Sequence, residues 1–277
     1  MLDFHLYRVR VFPSKQLDFL RKEKKPTEIL SEAIQELPTA ELKKENVWHI
    51  GNLTLLTKGE MYFRLGRTYK SKMEVYREGN FQDDEFETSP YTHVVLDIEL
   101  EVCAIAKKSK LSPHPRGIAN QLRRLLNQSK TSSRFGAEFD IDELLDPEDF
   151  ISQLRNASAI SKFWVTFKRP NAWDADSDFV KPMQNLVKNT KAQKGKTEIQ
   201  GEVLFADNLE KLARSAASTG DDAGALIQMS GRKKKVKKSL KGNPVVVKFE
   251  DLISKLKIQE LMNEVKKVYR SVRDRKK

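Results

Sequence analysis

Two residue types on which common metal and disulfide chemistry depends are scarce. The 277-residue chain has one cysteine, Cys103, and four dispersed histidines, His5, His49, His93 and His114. One thiol closes no intrachain disulfide, and these five residues lack the Cys/His ligand spacing of an ordinary zinc site. The strand-like neighbours Val102 and Ile105 make Cys103 read as a packed thiol, which suits a reducing cytoplasm. There is no phosphate-cradling glycine loop and no HExxH motif. Long apolar runs are missing too, since none approaches the roughly 18 residues a membrane-spanning helix needs. The opening MLDFHLYRVRVF has an acid at position 3 and alternating apolar residues, not the basic-then-apolar order of a secretory leader. These absences predict a soluble, cytoplasmic protein with no membrane partner and no cofactor.

What the chain has in excess is positive charge, and it lies at one end. Lys and Arg outnumber Asp and Glu by 51 to 39, a net charge of +12. From Gln228 to Lys277 the count is 17 against 5, so the other 227 residues carry 34 of each sign. The densest stretch, Gly231 to Lys241 (GRKKKVKKSLK), has seven basic residues and no acid. A local field of this kind steers a polyanion, whereas the same charge spread evenly mainly keeps a protein soluble.

The length exceeds the usual ~100–200 residues of one domain, and 39% apolar residues with 14 Phe and 3 Trp supply a core. The fold class we expect is α+β, with two mixed sub-domains of largely antiparallel sheet, a basic β-hairpin and a long C-terminal helix. The expected domains are 1–158 and 159–277, joined by a short link over Asn156 to Ser161. Leu2 to Phe12 alternates as a half-buried strand. Two short helices follow, split by Lys22 to Lys25 and Pro26. Val47–Leu56 and Met61–Leu65 read as a hairpin, with Gly66-Arg67 ending the alternation. Another strand around Met73 to Tyr76 then runs into an acidic loop, Gln82 to Pro90. Tyr91–Ile98 and Glu101–Ala106 form a second strand pair. Ile118, Leu122, Leu125 and Leu126 mark an amphipathic helix with Arg123 and Arg124 on its other face. Ser133 to Ile141 reads as a strand, and Asp146-Pro147-Glu148 as a helix start.

In the second half, KFWVTFK (Lys162–Lys168), Thr197–Phe205, Ala223–Ser230 and Val245–Phe249 read as strands. Helices are expected from Asp176 or Ser177 through Val187, and from Asp207 to Gly220. The last helix shows two apolar stripes. Phe249, Leu252, Ile253 and Leu256 make one, and Ile258, Leu261, Met262, Val265, Val268, Tyr269 and Val272 make the other, with a bend expected near Lys257. The second stripe is long enough to pack on a sheet or on the same helix of a second subunit.

The basic stretch lies between two strands. We expect a hairpin arm presenting Arg232, Lys233, Lys234, Lys235, Lys237, Lys238 and Lys241, with Val236 marking its more buried side and Lys241 to Pro244 as a projecting tip. Such an arm lies along phosphates and displaces counterions, giving salt-sensitive binding with little base preference. Lys266, Lys267, Arg270 and Arg273 extend the patch or complement a helix C-terminus. Arg64, Arg67, Lys70 and Lys72, with Tyr62, Tyr69 and Tyr76, offer a second strip of basic and stacking residues or else the rim of a sheet. Acid pairs also occur. Asp97 with Glu99, or Asp140 with Asp142, have the i, i+2 spacing that shares a divalent metal for phosphodiester cleavage. The lysine that a nuclease core adds two residues beyond an acid on the adjoining strand is missing from Glu101-Val102-Cys103.

Several segments together resemble the RexA-like phage-exclusion proteins and related prokaryotic defence proteins. They are VWHIGNLTLL with MYFRLGR, THVVLDIEL with EVCAIA, the helix GIANQLRRLLN, the strand FWVTF, and the closing MNEVKKVYRSVRDRKK. The resemblance implies a dimeric DNA-binding protein with limited sequence preference, acting as sensor or regulator beside an effector encoded elsewhere. The lysine arm has no clear counterpart there. The expectation is therefore a non-enzymatic nucleic-acid-binding protein, DNA before RNA, forming a homodimer in an antiviral defence system. The alternatives are a metal-dependent nuclease using Asp97 and Glu99, and an assembly protein that docks a partner through its terminal helix.

Overall fold

The computed structural model describes residues 1–12, 24–43, 45–168, 180–190, 192, 194–231, 234–240, 242–250 and 254–274. The elements are β1 (Leu2–Phe12), α1 (Pro26–Gln35), β2 (Thr39–Lys43), β3 (Asn46–Leu55), β4 (Glu60–Arg77), β5 (Asn80–Thr88), β6 (Tyr91–Asp97), β7 (Val102–Ala106), α2 (Pro115–Asn127), α3 (Lys130–Phe135), β8 (Glu138–Glu143) and α4 (Glu148–Arg155). They continue with β9 (Ala157–Lys168), α5 (Val180–Asn189), β10 (Lys194–Gln200), α6 (Ala206–Thr219), β11 (Ala223–Met229), β12 (Lys235–Ser239), β13 (Val246–Phe249) and α7 (Lys255–Arg273). The architecture is α+β with two antiparallel sheets. Nine strands are ordered β13-β1-β7-β6-β4-β3-β2, with β5 on β4 and β8 on β1, and four are ordered β10-β9-β11-β12. No described helix is long and apolar enough to cross a membrane. The chain forms two compact units. The first comprises Met1–Phe4, Val9–Ile141 and Phe249–Gln259, and the second His5–Arg8, Asp142–Lys248 and Glu260–Lys277.

In the first unit α2 packs on β2, β3 and β7. Its stripe Ile118, Leu122, Leu125 and Leu126 is buried together with Trp48, Ile50, Phe63, Leu65, Val94, Leu96, Cys103 and Ile105. Alternation along β3, β4, β6 and β7 sends these side chains to one face. The break expected at Gly66 does not occur, and β4 runs on to Arg77. Glycine is needed there for another reason, because a Cβ on Gly66 would lie 2.9 Å from the Pro90 carbonyl oxygen. Beyond it β4 pairs with β5, so the expected acidic loop is a strand. The turn Glu78-Gly79 has φ of 51° and 84°, the left-handed pair that a two-residue hairpin turn requires. Its acids stand opposite bases, Lys72 facing Glu85 and Lys70 facing Glu87, and such cross-strand pairs favour a ribbon over a loop. The segment expected as one strand, Ser133 to Ile141, is α3 followed by β8. The Ser129 side chain accepts from the Ser132 backbone N–H at the start of α3, and Gly136 closes it with φ 56°.

In the second unit the expected link is part of the sheet, since β9 begins at Ala157. Phe163, Val165 and Phe167 alternate to the face covered by α5 and α6. Thr197 Oγ1 donates to Met183 Sδ at 3.6 Å, and Gly195 lets Val187 approach, because a Cβ there would lie 2.7 Å from Val187 Cγ2. The α7 stripe Leu261, Met262, Val265, Tyr269 and Val272 is buried. Tyr269 Oη donates to the Ser218 carbonyl (3.4 Å) and accepts from Arg8 (2.7 Å). This stripe is buried within the chain, so docking on it would have to displace what covers it. The helix begins at Lys255 with Leu256 exposed and Phe249 in β13. The bend expected near Lys257 thus coincides with the first turn, while Leu252 and Ile253 of the first stripe lie outside the described residues. The first of the two early helices and the start of the Asp176/Ser177 helix also lie outside them.

A buried ion cluster ties α4 to α6. Arg155 reaches both carboxylate oxygens of Glu210 at 2.7 Å, and Arg214 bonds Glu210 (3.2 Å) and Glu148 (2.9 Å). Burial alone would raise the Glu210 carboxyl, but hydrogen bonds from Arg155 and Arg214, with their charges, hold it below the usual carboxylate range. Such a carboxyl stabilises the fold at pH values above its unfolded value of about 4.3, and the contribution disappears as pH falls through its lower folded value. Glu210→Ala leaves buried Arg214 with Glu148 alone and is expected to cost about 1.5–3 kcal/mol. Arg155→Ala, at a half-exposed side chain, should cost about 1 kcal/mol. Urea titrations at pH 7 and pH 3 check both, the Glu210 effect shrinking at the lower pH.

Candidate nucleic-acid interface

The four-stranded sheet has one face under α5 and α6, and the residues of interest lie on the opposite face. Alternation along β9 sets Lys162, Trp164 and Thr166 opposite to Phe163, Val165 and Phe167. The register extends this side into two cross-strand rows. One is Gln200, Lys162, Leu226 and Lys237, and the other is Glu198, Trp164, Gly224 and Ser239. Lys196 on β10 and Lys235 on β12 lie two residues along from members of these rows and share their face.

Trp164 is the centre of this face. Its indole lies across β11 at Gly224, where a Cβ would sit 2.1 Å from Trp164 Cζ2, so any larger residue would lift the ring. The Lys237 ammonium stands 5.0 Å from the ring centroid and that of Lys196 5.4 Å. Each contact of this kind is worth about 0.5–1 kcal/mol at an exposed site. Trp164 as a whole is only 9% exposed. Glu198 organises the other side of the patch. It accepts from Lys162 Nζ (2.7 Å), Gln200 Nε2 (2.6 Å) and Lys196 Nζ (3.2 Å). Hydrogen bonds from Lys162, Gln200 and Lys196 lower its carboxyl from 4.5 to about 2. One carboxylate thus joins two ammonium groups beside the ring, and Lys237 adds a third across it.

The predicted basic arm is therefore β12, an edge strand hydrogen-bonded to β11. Lys234, Lys235 and Lys237 are exposed, whereas Val236 and Lys238 turn to the opposite side and are half-buried. Arg232, Lys233 and Lys241 lie outside the described residues. The expected projecting tip is folded down instead. Asp146 N–H donates to the Asn243 carbonyl (2.9 Å), Leu145 bridges to Pro244, and a Cβ on Gly242 would lie 2.5 Å from the Asp146 carbonyl oxygen. Lys266, Arg270 and Arg273 follow one flank of α7 beside its buried stripe, and Lys267 is exposed near Glu264 (3.5 Å). They make a second basic strip, on a helix and not on the sheet face.

The other sequence candidates have local duties. Arg64 lies over Tyr91 (4.3 Å) and donates to Tyr62, while Arg67 lies over Tyr69 (4.8 Å) and bonds the Lys110 carbonyl. Lys70 pairs with Glu85 and Arg77 with Asp84. Arg123 holds Asp140, and Arg124 bonds the Leu42 carbonyl at 2.6 Å. Asp97 is buried and caps the following turn by accepting from Leu100 N–H (2.8 Å), whereas Glu99 sits in that turn, exposed. The two carboxylates do not share a strand face, because the strand ends at Asp97. Among the described residues no group of three or more His, Cys, Asp and Glu is placed to hold a metal. Burial pushes the Cys103 thiol up, which keeps it protonated and inert.

Sequence reasoning missed Lys162, Trp164, Lys196, Gln200 and Gly224. The signal was present as alternation, since KFWVTFK places Lys162 and Trp164 opposite three apolar residues, and KGKTEIQ repeats the pattern with Lys194, Lys196, Glu198 and Gln200. A carboxyl-carbon titration of Glu198 by NMR is expected to have its midpoint at about 2. Lys162→Ala should move that midpoint toward the ordinary value of about 4.3.

A search of curated proteins finds no match to this chain. The model of a domain of unknown function, DUF4747, matches residues 20–265, and the chain belongs to that family.

Proposed function

We propose that this protein binds nucleic acid without chemical turnover, through the open face of the four-stranded sheet and the edge strand β12. The observation that carries the reading is the pair Lys196 and Lys237 over Trp164, with Lys162 and Lys235 on the same side of that sheet. Lysines at strand spacing neutralise successive phosphates as point charges and read no base edges. Such binding depends on displaced counterions and weakens steeply with salt. DNA is the expected polymer. The resemblance to RexA-like phage-exclusion proteins supports a role as sensor or regulator in prokaryotic anti-phage defence, as a homodimer beside a separately encoded effector. The buried α7 stripe argues that such a dimer uses another surface.

Gel shifts with duplex DNA, single-stranded DNA and RNA at two salt concentrations test the reading. The Lys235→Glu, Lys237→Glu double variant, with its fold checked by circular dichroism, should bind at least tenfold more weakly and lose about two units of log–log salt slope. Unchanged binding by this variant removes the interface from β12. Absence of binding to all three polymers at low salt overturns the function.

A further inference from the structure

The far half of the β4–β5 hairpin is a ribbon of two strands with no third. Beyond Thr68, where β3 stops pairing, β4 is joined among the described residues by β5 alone, over nine pairs from Tyr69 with Thr88 to Arg77 with Asn80. A two-stranded ribbon is marginal by itself in water, and further strands are what stabilise one. This one leaves Met73, Tyr76, Phe81 and Phe86 exposed, a set of apolar side chains that marks a contact surface. Its two edges differ. The two-residue turn closes on Arg77 and Asn80, so alternation aims the backbone groups of Tyr69, Ser71, Met73, Val75 and Arg77 at β5 and leaves those of Lys70, Lys72, Glu74 and Tyr76 on the free edge. On the β5 edge the outward set is Phe81, Asp83, Glu85 and Glu87, whose acids block pairing with a like strand. On the β4 edge base and acid both occur. Glu74 is the unbalanced member there, because across the ribbon it faces Asp83, a like charge. Lys70 pairs with Glu85 and Arg77 with Asp84, whereas neither Lys72 nor Glu74 forms a salt bridge among the described residues.

We propose that the free edge of β4 pairs with the same edge of a second copy of this chain, antiparallel about a two-fold axis at Met73, joining two ribbons into one four-stranded sheet. A two-fold contact sets residue i on j and j on i. This axis sets Lys72 on Glu74 of the second copy, Glu74 on its Lys72, Lys70 on its Tyr76 and Tyr69 on its Arg77. Both ion pairs fall at hydrogen-bonded positions, since Lys72 and Glu74 turn their backbone groups to the free edge, and the two Met73 side chains meet at the closer, non-hydrogen-bonded position on the axis. The Lys72 ammonium thus arrives beside the carboxylate that Asp83 repels. Moving the axis by one residue either way sets Lys72 on Lys72 or Glu74 on Glu74, so the charges select one register. On β5 an axis at Asp83, Asp84 or Glu85 sets acid on acid. The interface gives the homodimer of the reading above a surface, but it is argued from the ribbon alone and stands whether or not nucleic acid binds.

Sedimentation of the full chain over a concentration series reads the dimer. Nine residues a side are fewer than the ~20–30 of a standard interface, so the wild type is expected to pass from monomer to dimer in the micromolar range. Glu74→Lys improves the match to Asp83 inside the ribbon yet sets lysine against lysine across the axis, and should weaken the dimer about tenfold or more. Lys72→Glu should do the same. Mixing these two variants restores both opposite-charge pairs, so two chains that are each monomeric should form a heterodimer, a result that a melted ribbon in either variant does not give. Met73→Cys should form a disulfide-linked dimer on mild oxidation, Cys103 being buried, whereas Tyr76→Cys, which the register keeps far from its counterpart, should not. A wild type that stays monomeric at hundreds of micromolar overturns the interface and the homodimer together. A dimer that survives both charge reversals overturns the interface and moves the homodimer to another surface. The gel shifts described above decide the nucleic-acid reading separately from either result.

Discussion

The close approach of Trp164 to Gly224 is the contact on which the open face depends. An indole lies flat across a neighbouring strand only where that strand has no side chain, and a Cβ on Gly224 would be 2.1 Å from the ring. Because the ring lies flat, two lysines from strands on either side, Lys196 on β10 and Lys237 on β12, reach it at 5.4 and 5.0 Å. The apolar ring takes their stems and the ring quadrupole takes their charge. Positive groups that would repel one another are thereby held over a common surface. Glu198 completes the arrangement from the far strand by accepting from Lys162 and Lys196. Its carboxyl is lowered to about 2, so it is ionised over the whole physiological range and never ceases to hold them.

The same sheet shows why β12 is so basic. It is an edge strand, and an edge without charge is a template for pairing with another chain. Lysines along it blunt that hazard, which by itself would account for charge without function. One feature goes beyond blunting, since Lys162 lies on β9, an interior strand of the sheet that needs no protection of that kind.

Much of the architecture was legible because alternation and caps are local. The pairs β3–β4 and β6–β7, helix α2 and the glycine-closed helix α6 follow from apolar spacing and turn residues. The elements that were misread depend on contacts distant in sequence. Gly66 reads as a stop, but Pro90, reached only through β5, explains it. The acids from Gln82 to Glu87 read as a solvated loop because Lys70 and Lys72 face them only once the hairpin has closed. Val236 marked the less exposed side of the lysine strand correctly, since alternation alone decides it. Lysine density identified β12, yet the centre of the site sits on β9, where a single tryptophan among apolar neighbours reads as core. Only the register, which sets Gly224 and Glu198 on either side of Trp164, turns that residue outward.

The division between stability and recognition follows from the two faces of the same strands. Phe163, Val165 and Phe167 are buried against helices, and the ion cluster of Glu210, Arg155 and Arg214 joins two of the unit's helices away from the open face. Removing any of these costs core packing or leaves a buried charge unpaired. Lys235 and Lys237 are exposed, Lys237 over the Trp164 ring, so their charge can change sign with little consequence for the fold. The two sides of the strands are correspondingly constrained to unequal degrees. Period-2 apolar residues on the helix side are fixed by packing, and Gly224 is fixed by the ring above it. The lysines meet no such packing constraint beyond the Trp164 ring and the Glu198 carboxylate.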